Sequence, residues 1–177
     1  LLARIEKVTD KPILAVFNSH IHGDHWLGNQ AIRAMYPEVP IYGHGRVVPK
    51  VLAGAGTQWV QLMLRLTENA TLGTDVVAPG HPVEDGDVLH IGGLTYRVMN
   101  NDKAHTDTDI MVHIKELDVM FLGDNAGHGR ILRLEGGSYV RGVNCRPPGD
   151  AASLSKHDIG DAWKAAARDV QASRPGP

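Results

Sequence analysis

Short apolar runs alternate with helical periodicities along the first half of the chain. Residues 13–17 form an unbroken apolar run, which is typical of a buried strand. Residues 26–36 repeat apolar side chains at helical spacing and stop at Pro37, so the pattern predicts a helix there. A second helical pattern, interrupted by glycines, covers residues 47–66. Between and after these helices we expect a short strand over residues 40–42 and a loop over residues 73–82.

From residue 83 onward the pattern changes to strands and turns. Asp85-Gly86 and Gly92-Gly93 are typical turn sequences that separate short apolar stretches. Two apolar stretches flank residues 116–118 and predict a hairpin, and the last periodic segment, residues 151–170, predicts a helix. The mixture indicates the α/β (α+β) fold class. The predicted strands cover residues 83–84, 88–91, 94–99, 110–114 and 119–122.

Length and composition describe an ordinary globular chain. The 177 residues, 42% hydrophobic and 21% charged, suffice for one core, so we treat residues 1–177 as a single domain. The net charge of −2 and the absence of a long basic run argue against nucleic acid as a partner. A membrane partner is not expected either, because no apolar stretch reaches the roughly 20 residues that span a bilayer. Cys145 is the only cysteine, which excludes an intrachain disulfide and leaves a cytoplasmic or periplasmic location open.

The chemistry of the chain is concentrated in residues 20–25, which read His-Ile-His-Gly-Asp-His and directly follow the first predicted strand. Imidazole and carboxylate are the nitrogen and oxygen ligands that zinc prefers. In an extended segment His20 and His22 lie on one side, and the following turn brings Asp24 and His25 to a neighbouring point. One short loop could therefore supply ligands to two metal ions.

Two further candidate ligands lie at the ends of predicted strands. His105 comes just before the strand over residues 110–114, and Asp124 follows the strand over residues 119–122. Ligands at strand ends are held by a rigid sheet, which preorganises a metal site. Because a carboxylate has two oxygens, Asp124 could bridge two ions.

These residues resemble the three metal-binding motifs of the metallo-β-lactamase superfamily, in order and in approximate spacing. The resemblance implies an αββα sandwich and two Zn²⁺ ions at one edge of it. The first zinc would be held by His20, His22 and His105, and the second by Asp24 and His25, with Asp124 between the two. The attacking water would bridge the metals, and Asp24 would orient it and accept its proton as the catalytic residue.

The chain also departs from the family pattern. The superfamily has strands before the helix that precedes the first motif, and residues 1–8 resemble only the end of such a helix, without the features of a signal peptide. It also supplies a last histidine to the second metal, where this chain has Pro177, which cannot bind zinc. We therefore expect a truncated member with an incomplete second site, either part of a larger enzyme or a chain completed by a partner.

Three functions follow as alternatives. The first is a zinc-dependent hydrolase of an ester, thioester or amide (lactam) carbonyl in a small-molecule substrate. The second is a mononuclear iron dioxygenase of the same fold, similar to the persulfide dioxygenases, with His20, His105 and Asp124 as ligands. The third is an inactive fragment that only binds metal. The oligomeric state cannot be predicted from the sequence.

We also predict roles for several residues that are not themselves candidate ligands. Asp109 is expected to orient a ligand histidine, because metal-bound imidazoles usually donate to a carboxylate or carbonyl. Trp26 is expected to pack beneath the metal loop as the first residue of its helix. His44 is expected to be structural or to face the substrate, and His128 is a lesser candidate for lining the pocket.

Overall fold

The structure is a computed structural model that describes residues 2–100, 102 and 104–125. The predicted helix over residues 151–170, together with His128 and Cys145, lies outside the described residues. Within the part of the chain that is described, no helix is both long and apolar enough to cross a membrane. The assignment of residues 1–177 to a single domain stays a prediction.

Two sheets form the framework. The first has three parallel strands in the order β1-β2-β3, and the second has four antiparallel strands in the order β4-β5-β6-β7. The first sheet comprises β1 (Val16–Asn18), β2 (Ile41–His44) and β3 (His81–Val83). The second comprises β4 (Val88–Ile91), β5 (Leu94–Met99), β6 (Met111–Ile114) and β7 (Val119–Phe121).

Helices connect the parallel strands, as crossovers between parallel neighbours require. One helix lies between β1 and β2, and a bent helical stretch lies between β2 and β3. This stretch contains a single π-helical turn in which Gly54 has a φ of 122°, a value that favours glycine. The helices are α1 (Leu2–Ile5), α2 (Asn29–Met35), α3 (Val47–Lys50) and α4 (Gly56–Leu66), with the π turn at Val51–Ala55 and 3₁₀ turns at Gly23–His25 and Gly123–Asn125.

The two sheets pack face to face through an apolar core. Phe17 of β1 stacks on Tyr42 of β2, with ring centroids 5.1 Å apart, and on Tyr96 of the second sheet at 5.7 Å. A second core lies between the loop after β1 and the helices α3 and α4, centred on Trp26 and Val51. The mixed α/β class with two packed sheets is therefore confirmed. The buried residues of the first core are Val83, Val98, Ile110 and Val112.

Two predicted elements begin three residues later than the sequence pattern indicated. The first strand begins at Val16 rather than residue 13, because its ladder starts where Val16 donates to the carbonyl of Pro40 at 3.0 Å. Helix α2 begins at Asn29 rather than residue 26, because the amides of Trp26 and Leu27 both bond back to Gly23. Trp26 still packs beneath the loop as expected, with 1% exposure and its indole nitrogen 2.8 Å from the carbonyl oxygen of Ile21.

The prediction of a loop over residues 73–82 was wrong at its end. His81 and Pro82 belong to β3 and pair with Tyr42 and Gly43 of β2. Proline lacks an amide donor and normally marks the end of a strand, but it is tolerated on an edge strand. Since β3 is the outer strand of its sheet among the residues that the structure describes, Pro82 is accommodated there.

His44, at the end of β2, has a structural environment. Its side chain is buried, its Nδ1 accepts the backbone amide of Arg46 at 3.0 Å, and its Nε2 lies 3.4 Å from the Glu84 carboxylate. An accepting Nδ1 places the ring proton on Nε2. Burial lowers the pKa of His44, Glu84 opposes this shift, and Arg46 adds to it, so the imidazole is neutral at pH 7.

We expect His44 to make the folded state sensitive to acid. Because its pKa is lower in the folded than in the unfolded chain, its contribution is complete above the unfolded pKa of about 6.5 and is lost as pH falls toward the folded value. Electrostatic interactions with Asp107 and Asp109 raise the pKa of His44 and so limit its decrease. The variant His44→Asn keeps an acceptor near the Nδ1 position and cannot be protonated. Its urea midpoint should fall less between pH 7 and pH 5 than that of the wild type, whereas parallel pH profiles would contradict this assignment.

Gly23 is required where the loop after β1 meets helix α4. A Cβ at this position would lie 2.9 Å from Cβ of Trp59 and 3.1 Å from Cδ1 of Leu27, closer than side-chain atoms normally approach. Cβ of Trp59 is fixed to the helix backbone, so it cannot rotate away. The middle residue of the His-Ile-His-Gly-Asp-His segment is therefore glycine for steric reasons.

Gly23→Ala is expected to destabilise the fold by about 1–3 kcal/mol, the usual effect of overpacking. The measurement is the free energy of urea unfolding. Gly28→Ala is the matched control, because nothing lies within 4 Å of a Cβ there and its φ of −73° suits alanine. Equal stabilities for the two variants would contradict the close contact.

Candidate metal centre

Three separate segments bring the predicted ligands to one edge of the two sheets. His20 to His25 follow β1, His105 lies in the loop before β6, and Asp124 lies in the turn after β7. Two hydrogen bonds join the first two segments: the Ile110 amide donates to the Ser19 carbonyl at 2.7 Å, and the Ile21 amide donates to the Thr108 hydroxyl at 3.1 Å. The β1 loop and the His105 loop are therefore held together by backbone donors on both sides.

Three histidines form the first group of candidate ligands. One ring nitrogen each of His20, His22 and His105 lies within 4.8 Å of the others. Nδ1 of His22 and Nε2 of His105 lie 3.0 Å apart. Two nitrogens bound to one zinc at 2.0–2.1 Å in tetrahedral geometry are separated by about 3.3 Å. The spacing of this pair is therefore close to that of two ligands on one ion.

His20 is the most constrained member. It is 0% exposed, and its Nε2 has no hydrogen-bond partner among the described residues. Burial, and then the charge that the three neighbouring imidazoles would carry, lowers the pKa of His20 to about 2. The ring is thus neutral, and its buried Nε2 is left without a partner in this part of the chain. An unsatisfied buried polar atom is unfavourable by about 1–3 kcal/mol, and a metal ion would satisfy it.

Asp124 lies between this group and a second one. His20, His25 and Asp124 also have ligand atoms within 4.8 Å of one another. Oδ1 of Asp124 is 3.4 Å from Nε2 of His25, and Oδ2 is 3.7 Å from Nε2 of His105. The two oxygens thus face histidines of different groups, which is the arrangement that a bridging carboxylate needs.

Asp24 lies at the outer side of the groups. Its carboxylate is 61% exposed, and Oδ2 is 3.5 Å from Nε2 of His25. The structure therefore brings all six predicted ligands together, with Asp24 reaching the others through His25 and belonging to neither close group. Asp124 is also 46% exposed, so the carboxylate side of the centre is open to solvent. The ligand roles of all six residues stay predictions.

Three residues that the sequence did not single out support the candidate ligands. The Ser19 hydroxyl lies 3.1 Å from Nδ1 of His20 and 2.9 Å from Nδ1 of His25. The side-chain oxygen of Asn125 accepts the backbone amide of His105 at 3.2 Å, and the Trp59 ring lies 5.0 Å from the His22 ring. Ser19 and Asn125 are direct sequence neighbours of candidate ligands, and this adjacency could have identified them from the sequence. Trp59 belongs to the distant helix α4, and no sequence pattern links it to the ligands.

Asp109 was expected to orient a ligand histidine, and it shapes the loop that carries His105. Its two oxygens accept the backbone amide and the hydroxyl of Thr106, each at 2.7 Å. Burial raises the pKa of Asp109, although the hydrogen bonds from Thr106 oppose the shift.

An ion pair anchors the same loop to helix α3. Lys50 pairs with the Asp107 carboxylate, and Arg46 donates to the Asp107 carbonyl at 3.2 Å. Burial raises the pKa of Asp107, but the bond and the charge from Lys50 outweigh it, so the pKa is lowered and Asp107 is ionised at pH 7. The loop is thus attached to α3 and the residue before it through Asp107, two residues after His105.

The chain resembles one curated relative in sequence. It is 27% identical over 120 residues to a hydroxyacylglutathione hydrolase from Francisella tularensis subsp. novicida (strain U112). The match covers 66% of this chain and 36% of that enzyme, so the chain spans about a third of the length of this relative.

Solved structures share the fold. The BLEG-1 B3 metallo-beta-lactamase superposes with a TM-score of 0.54 at 23% identity, covering 73% of this chain and 59% of the lactamase. TTHA1623 in a di-iron-bound form superposes with a TM-score of 0.57 at 22% identity, covering 80% of this chain and 66% of that protein. At these identities the likeness establishes the fold alone.

The sequence model of the Metallo-beta-lactamase superfamily matches residues 1–174, nearly the whole chain. This match confirms the resemblance inferred from residues 20–25, His105 and Asp124, and it agrees with the two packed sheets and the histidine-rich group at their edge. The chain belongs to the metallo-beta-lactamase superfamily.

Proposed function

We propose that this protein is a zinc-dependent hydrolase that cleaves the ester, thioester or amide (lactam) bond at a carbonyl group of a small-molecule substrate. The observation that carries the proposal is the buried Nε2 of His20, which has no hydrogen-bond partner in the described residues and belongs to a side chain that is grouped with other candidate ligands. A neutral, desolvated nitrogen beside two more imidazoles is a donor set that suits zinc. A structural histidine at this depth would instead be expected to bond to a protein atom.

Two metal positions follow from the grouping of the ligands. His20, His22 and His105 would hold the first zinc, and Asp24 and His25 would hold the second. Asp124 would contribute one oxygen to each, and this assignment is supported by the 3.4 Å and 3.7 Å separations of its two oxygens from His25 and His105.

The reaction requires an activated water and a group to accept its proton. Bound zinc would lower the pKa of water toward neutrality and polarise the carbonyl of the substrate. Asp24 is the residue of this chain that suits the proton transfer, because its carboxylate is exposed on the open side and Oδ2 lies beside His25. His20, His22 and His105 would stay neutral throughout, since their nitrogens serve as ligands.

The similarity to a hydroxyacylglutathione hydrolase supports one class of substrate over the others. A hydroxyacylglutathione is a thioester, so we rank a thioester first among the carbonyl substrates, ahead of an ester or an amide (lactam). Aspartate at position 124 is compatible with this choice, because the superfamily branch that uses a thiolate would have cysteine there. The iron dioxygenase is the weaker alternative, because the pair of Asp24 and His25 would then have no role as ligands.

His22→Ala is expected to abolish hydrolysis of a reporter thioester by the zinc-loaded chain. Loss of a ligand should reduce kcat/KM by more than about 100-fold, beyond the 10–100-fold that follows loss of an outer partner. His113→Ala is the matched control, because His113 pairs with Asp118 at 2.9 Å on the hairpin of β6 and β7 and lies outside the ligand groups. The control should retain wild-type activity.

Metal analysis of the same preparations separates the alternatives. The proposal expects zinc at both positions, tightly bound at the first and more weakly bound at the second, which is expected to be incomplete in this chain. About one iron per chain with oxygen consumption would support the dioxygenase instead. Metal binding without turnover, or thioesterase activity that survives His22→Ala, would refute the proposed hydrolytic site.

A further inference from the structure

We propose that Ser19 is a positioning residue shared by both metal positions. Its hydroxyl would fix the ring orientation of His20 at the first position and of His25 at the second, so that the two positions are not independent. This inference rests on the proposed function, because it assumes that both histidines bind metal through Nε2.

The hydroxyl lies where both imidazoles need an acceptor. Oγ of Ser19 is 3.1 Å from Nδ1 of His20 and 2.9 Å from Nδ1 of His25. An imidazole that binds metal through Nε2 carries its proton on Nδ1. A serine oxygen has two lone pairs and can accept from both rings at once. Each Nδ1–H would thereby be satisfied, and each Nε2 would be directed toward the ions.

The orientation of the two rings supports this tautomer. Nε2 of His20 is the buried atom without a partner in the described residues, and Nε2 of His25 lies 3.4 Å from Asp124 and 3.5 Å from Asp24. In both rings the nitrogen opposite these groups is the one beside Ser19. The ring centroids are 4.0 Å apart, so a single small side chain can reach both.

The backbone of Ser19 contacts the second ligand segment. Its carbonyl accepts the amide of Ile110 at 2.7 Å, at the end of the loop that carries His105. The hydroxyl is therefore held in place by a bond between the residue that follows β1 and the residue that precedes β6.

The third ligand segment contacts the Cβ of Ser19. A Cβ on Gly123 would lie 2.8 Å from Cβ of Ser19 and 3.1 Å from its Oγ. Gly123 also has a φ of 56°, so a side chain there would be strained as well as crowded. This glycine allows the turn that bears Asp124 to pack directly on Ser19. One small residue thus adjoins all three segments that carry candidate ligands.

Ser19→Ala isolates the role of the hydroxyl. Alanine keeps the Cβ that packs against Gly123 and the carbonyl that binds Ile110, and it removes only the acceptor of the two imidazoles. The rings then lose their common partner, and metal binding should weaken at both positions while the fold is kept. The variant Ser19→Thr retains a hydroxyl and serves as the rescue.

The test compares the 177-residue wild type with Ser19→Ala, Ser19→Thr and Thr95→Ala. Thr95 is the matched control, because its hydroxyl lies 3.4 Å from Nδ1 of His90, outside the ligand groups. Zinc affinity is measured by competition with a chromophoric chelator, and ligand geometry by the visible spectrum of the Co²⁺-loaded chains. Circular dichroism verifies that each chain is folded.

Ser19→Ala is expected to lose about 10–100-fold in affinity for both zinc equivalents, as removal of an outer partner of a ligand histidine typically does. Its Co²⁺ spectrum should change, and Ser19→Thr and Thr95→Ala should resemble the wild type. Wild-type affinity and spectrum in Ser19→Ala, or a loss confined to one equivalent, would overturn the shared role and leave the hydrolase proposal intact. A wild type that binds no zinc would overturn both.

Discussion

The crowding of imidazoles around a buried His20 is the constraint on which the whole centre depends. The rings of His22, His25 and His105 lie with their centroids 4.0 to 4.8 Å from that of His20. Burial, followed by the charges that its three neighbours would carry, lowers the pKa of His20 to about 2, so the buried ring is neutral. A neutral buried imidazole offers a lone pair rather than a charge. The group is stable only if a rigid framework holds the rings and something accepts their electron pairs.

The framework is supplied by strand ends rather than by the loops alone. The amide of Ile110, just before β6, donates to Ser19 in the loop after β1. The amide of Ile21 in the same loop donates to the hydroxyl of Thr108 and makes a second connection. Asn18, at the end of β1, forms a buried amide pair with Asn29 of α2 and donates to the carbonyl of His25. Each ligand segment is therefore attached to a sheet or a helix within a few residues of its ligand, which limits its movement before any ion binds.

The site was easier to predict than the elements that carry it. Residues 20–25, His105 and Asp124 were found because metal ligands need particular residue types at particular spacings, and those survive in a linear sequence. Strand β3 was missed because its pairing depends on β2, and Pro82 is tolerated only through its edge position. Trp59 and Gly23 meet through tertiary packing of α4 on the loop, which no local pattern records. Helix α2 also starts later than predicted, because the amides of Trp26 and Leu27, at the predicted start of the helix, donate to the carbonyl of Gly23.

The central claim is that three segments distant in sequence hold catalytic zinc between their side chains. The most direct test is X-ray diffraction from zinc-grown crystals of the chain, with anomalous differences collected at the zinc absorption edge. The proposed metal centre requires one peak at about 2.0–2.1 Å from nitrogens of His20, His22 and His105. It requires a second peak bordered by Asp24, His25 and Asp124. Ordered zinc elsewhere, with these imidazoles bonded only to protein atoms, would contradict it.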